Sequence, residues 1–151
     1  MPDYAAQGGW DMQRLIVAEQ DMDARKQIAD LLIEAGYNVT VTSSAAGAVE
    51  EILKNASQLV ILGSEFDDIT AGDLVPLLKL CNSNLTIIMV SGDDSLPVIR
   101  RVRKQGIFYH ALRPVHAEDR EELCQAVECA FASLAKVRDW KDRSGSHHTY
   151  H

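Results

Sequence analysis

The chain has 151 residues, a formal net charge of −7 and 46% apolar residues. This length fits one domain, and the apolar content supports a packed core rather than a disordered chain. The acidic charge argues against a fold-wide nucleic-acid surface, and no apolar run approaches the roughly 20 residues that a membrane span needs. Residues 1–13 lack the basic start and apolar stretch of a signal peptide, so we expect a cytoplasmic protein.

Short apolar runs alternate with helical patterns along the chain. The runs have the length and composition of buried parallel strands, and they cover 15–18, 39–41, 59–62, 85–90 and 108–112. Apolar residues at helical spacing predict helices over 23–35, 45–54, 74–81, 95–105 and from about 116–118 onward. The sequence therefore predicts strands and helices in strict alternation.

Glycines and prolines mark several helix ends. Gly36 and Gly106 follow the first and fourth helices, where a left-handed residue commonly ends a helix. Ser95 can cap the fourth helix, and Pro97 suits its first turn. We expect Pro76 in the first turn of the third helix, because a proline further in would break the hydrogen-bond ladder.

This alternation predicts an α/β fold with a five-stranded parallel sheet. Helical crossovers make neighbouring strands parallel and cover both faces of the sheet, giving a doubly wound, three-layer architecture. We expect a flexible leader over 1–13, the folded domain over 14–136, and a helix extension with a disordered tail over 137–151. The apolar spacing of the last helix continues to Val137, with Trp140 beyond, which suits pairing with a second copy or docking on a partner; the alternative is a fraying end whose Trp140 folds back on the domain.

Polar residues stand where the predicted strands end. In an open parallel sheet, ligands bind beyond the carboxyl ends of the strands. The residues at these positions are, in strand order, Glu19 and Gln20, Gly63 and Ser64, Ser91, and Arg113 with Pro114.

This order resembles the receiver (CheY-like) domains of two-component response regulators, over nearly all of residues 15–131. Such receivers carry an acidic pair after the first strand, a phospho-accepting Asp after the third, a Ser or Thr after the fourth and Lys-Pro after the fifth. The sequences LIVAEQD, LVILG, VSG and LRP stand at these four places. His110 falls where receivers often have an aromatic switch residue.

The departures from this pattern imply a degenerate pseudo-receiver that lacks the phospho-acceptor. Matching by strand puts Gly63 at the acceptor position, whereas matching backward from Gly72 puts Ser64 there. Neither residue is a carboxylate. Gln20 is neutral where the second acid would stand, so only Glu19 remains, and we expect at most weak Mg²⁺ binding there and no cofactor.

Arg113 stands at the lysine position of the family. Without a phosphate to contact, it is expected to pair with Glu19 across the pocket, and the alternative is a side chain in solvent.

We therefore predict a stand-alone, atypical receiver that acts in signal transduction by phosphorylation-independent protein–protein interaction, and not an enzyme. The alternative is a phosphorelay receiver with an unconventional phosphorylation or Mg²⁺ site. An enzyme or nucleotide-binding protein on this fold is a third possibility. No G-x-G-x-x-G phosphate loop follows the first strand, which argues against it.

The fourth and fifth helices form a candidate interaction surface. The fourth helix carries four basic residues, Arg100, Arg101, Arg103 and Lys104. The fifth begins with mostly acidic residues over 118–122. Opposite charges on neighbouring helices suit a two-fold homodimer or an unknown protein partner, and the alternative is two ordinary solvated faces. The overall charge opposes a nucleic-acid role for the basic residues alone.

Overall fold

The computed structural model describes residues 13–55, 57–92 and 96–148. Within them, strands and helices alternate as predicted. The strands are β1 (Arg14–Ala18), β2 (Asn38–Thr42), β3 (Leu59–Gly63), β4 (Thr86–Ser91) and β5 (Tyr109–Leu112). The helices are α1 (Met22–Glu34), α2 (Ala45–Asn55), α3 (Ala71–Cys81), α4 (Leu96–Lys104) and α5 (Ala117–His148).

The strands form one parallel sheet in the order β2-β1-β3-β4-β5. This confirms the predicted five-stranded, doubly wound α/β architecture. Every residue of β3 is buried, as expected for a central strand covered on both faces. One face packs on α2 and α3 through residues such as Ile52 and Leu74. The other packs on α1 and α5 through residues such as Leu32 and Val127.

The helix-ending glycines are confirmed, but the prediction for Pro76 is wrong. Gly36 and Gly106 have φ values of 100° and 83°, in the left-handed region that favours glycine. Pro76 lies inside α3 rather than in its first turn. The carbonyl that loses its helical partner, that of Gly72, accepts a hydrogen bond from Gln105 Nε2 at 2.7 Å. A side chain directly after α4 thus supplies the hydrogen bond that makes the interior proline tolerable.

The long last helix differs from the sequence interpretation. α5 continues without a break past residue 136 to His148, so residues 144–148 are helical where a disordered tail was predicted. Each added residue continues the i→i−4 ladder, which propagates a helix once it has formed. The predicted leader up to residue 12, the Ser95 cap and residues 149–151 lie outside the described residues. No helix of the described chain is long and apolar enough to cross a membrane.

Candidate functional site

Four parallel strands bring the polar residues to one edge of the sheet. Ala18 is paired with Leu62, so Glu19 and Gly63 are neighbours at the ends of β1 and β3. Ser91 ends β4, and its partner in β5 is Leu112, directly before Arg113. The sheet register therefore places the predicted pocket residues together.

Glu19 occupies the space in front of Gly63. The Glu19 side chain is 2% exposed. A Cβ atom added to Gly63 would lie 2.6 Å from Glu19 Oε1, 2.8 Å from Cδ and 2.9 Å from Oε2. These distances are shorter than real Cβ contacts, so a side chain at position 63 and the present Glu19 carboxylate cannot coexist.

The Glu19 carboxylate is only half satisfied. Oε2 accepts a hydrogen bond from the Asp21 N–H at 3.0 Å, whereas Oε1 is buried without a partner. Burial raises the pKa of Glu19 above its ordinary value of 4.5, and the Asp21 N–H and the charge of Arg113 oppose this increase. The folded chain therefore holds this proton more tightly than the unfolded chain does.

The predicted ion pair between Glu19 and Arg113 is wrong. Arg113 acts on Glu19 only through its charge, since the two side chains share neither a hydrogen bond nor an ion pair. The Arg113 side chain is half-buried, and its buried Nε has no hydrogen-bond partner, so it does not simply extend into solvent either. The physical reason is that Gly63 leaves room for the Glu19 carboxylate, which turns toward Gly63 and the Asp21 amide.

Gln20 joins the loop after β1 to the loop after β3. Its Nε2 donates to Asp67 Oδ1 at 2.9 Å, and its Oε1 accepts from the Asp67 N–H at 2.6 Å. We call this pair of bonds the Gln20–Asp67 clamp. Arg25 of α1 supports the same loop by donating to the carbonyls of Glu19 and Gln20 at 3.0 and 3.2 Å.

Ser91 and His110 contact each other directly. The Ser91 Oγ and His110 Nε2 atoms are 2.6 Å apart, and the direction of this hydrogen bond depends on the imidazole tautomer. Ser91 is 1% exposed. The structure thus joins the predicted hydroxyl position to the predicted switch position.

Ser64 lines a pocket of about 160 Å³ at the start of α3, together with Thr70, Ala71, Gly72, Met89, Arg101 and Gln105, and Glu19 is not among the lining residues. Gly63 ends β3, and a Cβ atom at this position would contact Glu19.

The basic residues of α4 are exposed. Arg100, Arg101, Arg103 and Lys104 all lie on the surface, and within the described part of the chain none of them forms an ion pair. The start of α5 is partly engaged with its own domain, because Glu122 accepts a 2.7 Å hydrogen bond from the Tyr109 hydroxyl. Glu118 and Glu121 are exposed.

Sequence reasoning missed Arg25, Asp67 and Gln105 as determinants of this region. Asp67 is 47 residues from Gln20, and Gln105 is 33 residues from Gly72. No local spacing relates such pairs. An interior proline was the one available signal for Gln105, because it implies an orphan carbonyl that needs a donor.

The described part of the pocket does not supply an oxygen-ligand set for Mg²⁺. This cation is held by one or two carboxylates with near-octahedral geometry. Here Glu19 is buried with one oxygen on a backbone N–H, and Gln20 Oε1 is taken by the Asp67 N–H. Among the residues that the structure describes, no group of three or more His, Cys, Asp or Glu side chains is placed to hold a metal ion.

Comparisons with known proteins agree with this fold. A family model of the response regulator receiver domain matches residues 15–128. The chain is 29% identical over 118 residues to the DNA-binding transcriptional regulator NtrC of Bradyrhizobium sp. (strain RP501 Parasponia). The matched region covers 78% of this chain and 24% of that protein. It is 28% identical over 134 residues to the two-component response regulator ORR24 of Oryza sativa subsp. indica, covering 87% of this chain and 21% of that protein.

The solved structures that resemble the chain share its fold. A response regulator receiver domain protein from Clostridium thermocellum superposes with a TM-score of 0.74 at 20% identity, covering 83% of this chain and 99% of that chain. A CheY-like receiver domain protein from Methanospirillum hungatei JF-1 gives 0.73 at 18% identity, covering 83% and 98%. The chain spans less than a quarter of the length of either curated relative.

Proposed function

The chain belongs to the response regulator receiver domain family, and from this premise we propose that it signals by binding a protein partner without being phosphorylated. Receiver domains of this family work in two-component signalling through protein partners. The observation that carries the proposal is the Glu19 carboxylate in front of Gly63, where receivers carry the phospho-accepting Asp.

Phosphoryl transfer to a receiver needs an accessible nucleophile in line with the phosphodonor. Gly63 has no side chain, and the nearby Glu19 carboxylate is 2% exposed, so a phosphodonor cannot approach it in line. Ser64 lines the pocket at the start of α3 and is a hydroxyl rather than a carboxylate. These features support a pocket that is inactive in phosphoryl transfer.

The Gln20–Asp67 clamp supports the same reading. A bound divalent cation would neutralise charge during phosphoryl transfer. Here a neutral amide links the two loops directly, and it needs no cation to do so. The loops are held together by hydrogen bonds that phosphorylation would not alter.

The Ser91–His110 hydrogen bond supports a domain held in one state. In the receivers that the chain resembles, these two positions respond to the phosphate. Here Ser91 Oγ and His110 Nε2 are 2.6 Å apart within the protein itself. The pair is therefore satisfied without a phosphoryl group.

The proposed partner presents an acidic surface to α4. The four basic residues of α4 are exposed and form no ion pair in the described chain, so they are available to an acidic partner. A second copy of this chain offers Glu118 and Glu121 at the start of α5. We therefore include a homodimer through α4 and α5 in the proposal, and we expect no nucleic-acid partner.

Incubation with a small phosphodonor and Mg²⁺, followed by intact-mass measurement, tests the proposal. We expect no mass increase of one phosphoryl group. The positive control is a variant with the carboxylates restored, Glu19→Asp, Gln20→Asp and Gly63→Asp, which removes the obstruction at Gly63 and supplies an acceptor.

Stoichiometric phosphorylation of the unmodified chain would overturn the proposal and favour the alternative, a phosphorelay receiver with an unconventional site. The modified residue would then be located by peptide mapping. Phosphorylation of the restored variant alone is the outcome that the proposal predicts.

A further inference from the structure

Pro76 leaves one backbone carbonyl of α3 without its helical hydrogen-bond donor. A proline has no N–H to donate to the carbonyl four residues earlier, and in α3 that carbonyl belongs to Gly72. Gly72 is partly buried, and its carbonyl needs another donor because a polar group shielded from water costs free energy when it is left unpaired.

Gln105, directly after α4, supplies that donor. Its Nε2 lies 2.7 Å from the Gly72 oxygen. Glycine permits this approach, since a Cβ at position 72 would lie only 3.3 Å from Gln105 Nε2 and 3.4 Å from Arg101 Nη2. The other amide atom, Gln105 Oε1, is buried without a partner. The orientation of the amide is therefore set by its bond to Gly72.

A second bond runs in the opposite direction. Lys79 of α3 donates from Nζ to the Gly106 carbonyl at 3.0 Å. Gly106 follows Gln105 at the end of α4 and has a φ of 83°, which fixes the direction of the chain as it leaves the helix. Gln105, directly after α4, thus binds the backbone of α3, and Lys79 of α3 binds the backbone directly after α4.

We propose that these two bonds make α3 and α4 one unit and fix the basic helix α4 in a single position. The hydrogen bond from Gln105 replaces the one that Pro76 removes. If α4 moves away from α3, the Gly72 carbonyl loses this donor. The importance of this for signalling rests on the proposed function, in which α4 meets the partner. A helix held in advance loses less conformational freedom when the partner binds.

A four-protein cycle with Pro76→Ala and Gln105→Ala tests the coupling by hydrogen exchange of the α4 amides. Gln105→Ala alone should speed their exchange roughly 2- to 10-fold, the range for losing one hydrogen bond. Pro76→Ala gives α3 its own N–H for the Gly72 carbonyl. In the Pro76→Ala background, we therefore expect Gln105→Ala to have a smaller effect. The logarithm of the α4 amide exchange rate should change by less than half of what Gln105→Ala causes in the unmodified chain.

Two further variants complete the design. Gln27→Ala removes an exposed glutamine of α1 and should leave α4 exchange unchanged. Lys79→Met removes the second bond and should speed exchange near Gly106 even if the Gln105 variants fold poorly. An equal effect of Gln105→Ala in both backgrounds, or unchanged exchange in Gln105→Ala and Lys79→Met, would contradict the coupling. These measurements involve no phosphodonor or partner, so the coupling can fail while the proposed function stands.

Discussion

At the scale of single residues, the geometry of the pocket depends on the space that Gly63 leaves open and that the Glu19 side chain occupies. The missing side chain at the end of β3 leaves room, and the glutamate directly after β1 fills it. Oε2 of this carboxylate accepts one backbone hydrogen bond, whereas Oε1 is buried away from solvent and has no hydrogen-bond partner. A buried carboxyl group with an unpaired oxygen is a destabilising feature that the surrounding sheet has to offset.

Gly63→Ala should destabilise the fold by up to about 1 kcal/mol, the low end of the range for an overpacked core site, because the atoms it meets are the end of the flexible Glu19 side chain. The added Cβ would lie 2.6 Å from Glu19 Oε1 and would force the carboxylate to move. Urea unfolding measures the change. Gly92→Ala is the matched control, because its Cβ would meet nothing within 4 Å. Equal effects of the two substitutions would contradict the close approach of Glu19.

Glu19→Gln should make stability less dependent on pH. The pKa of Glu19 is raised in the folded state by burial, so the folded chain holds this proton more tightly than the unfolded chain. Its stabilising contribution is complete below the ordinary pKa of 4.5 and is lost as pH rises through the folded pKa. The neutral amide has no such loss.

Urea unfolding at a series of pH values from 4.5 upward compares this variant with the unmodified chain. Glu34→Gln, which alters an exposed carboxyl group of α1, serves as the control. The unmodified chain should lose stability relative to Glu19→Gln as pH rises. Parallel profiles would mean that Glu19 titrates as it does in the unfolded chain.

At the scale of elements, periodicity predicted the strands, the helices and their parallel arrangement. A short apolar run such as 59–62 indicates a buried strand. Gly36 and Gly106 end helices because each adopts the left-handed conformation. Pro76 was misplaced because tertiary contact overrode a local rule. Gln105, far away in the sequence, supplies the missing donor.

The strand-end residues of the site were predictable from the sequence, but their contacts and the supporting residues Arg25 and Asp67 were not. Sheet topology brings Glu19, Gly63 and Arg113 to one edge whatever their side chains do. Which way the Glu19 carboxylate turns depends on the empty space at Gly63 and on the Asp21 amide, and neither has a sequence signal. The predicted pair with Arg113 failed for this reason.

Gln20→Glu should open the Gln20–Asp67 clamp. The substitution would place a carboxylate oxygen where the amide nitrogen now donates to Asp67 Oδ1 at 2.9 Å, so two negative charges would repel each other. Hydrogen exchange of the Asp67 amide should accelerate roughly 2- to 10-fold, the range for losing one hydrogen bond. Gln27→Glu adds the same charge on exposed α1 and should leave that amide unchanged. Unchanged exchange in Gln20→Glu would show that the clamp does not hold the loop.

At the scale of the whole molecule, charge is unevenly distributed. The chain carries a net −7, yet α4 is basic and the first turns of α5 are acidic. Exposed apolar residues extend along α5 beyond the core, with Val137 48% and Trp140 67% exposed. Both features suit association through this side of the domain.

Sedimentation at tens of micromolar should detect a dimer whose fraction falls as salt increases, because surface charge pairs are screened. Arg100→Glu should weaken it, since the reversed charge would face the acidic start of α5. Lys54→Glu makes the same charge change on exposed α2 and should not. A monomer at low salt would contradict the homodimer and leave a different acidic protein as the partner.

Whether the pocket still accepts a phosphoryl group is tested most directly by a two-dimensional amide NMR spectrum. It is recorded with and without Mg²⁺ and beryllofluoride, a mimic of the acyl phosphate. An inactive pocket predicts an unchanged spectrum at Glu19, Gly63, Ser91 and Arg113, while the restored triple variant shifts. Large shifts at these residues in the unmodified chain would mean that the pocket still accepts a phosphoryl group, and would contradict signalling without phosphorylation.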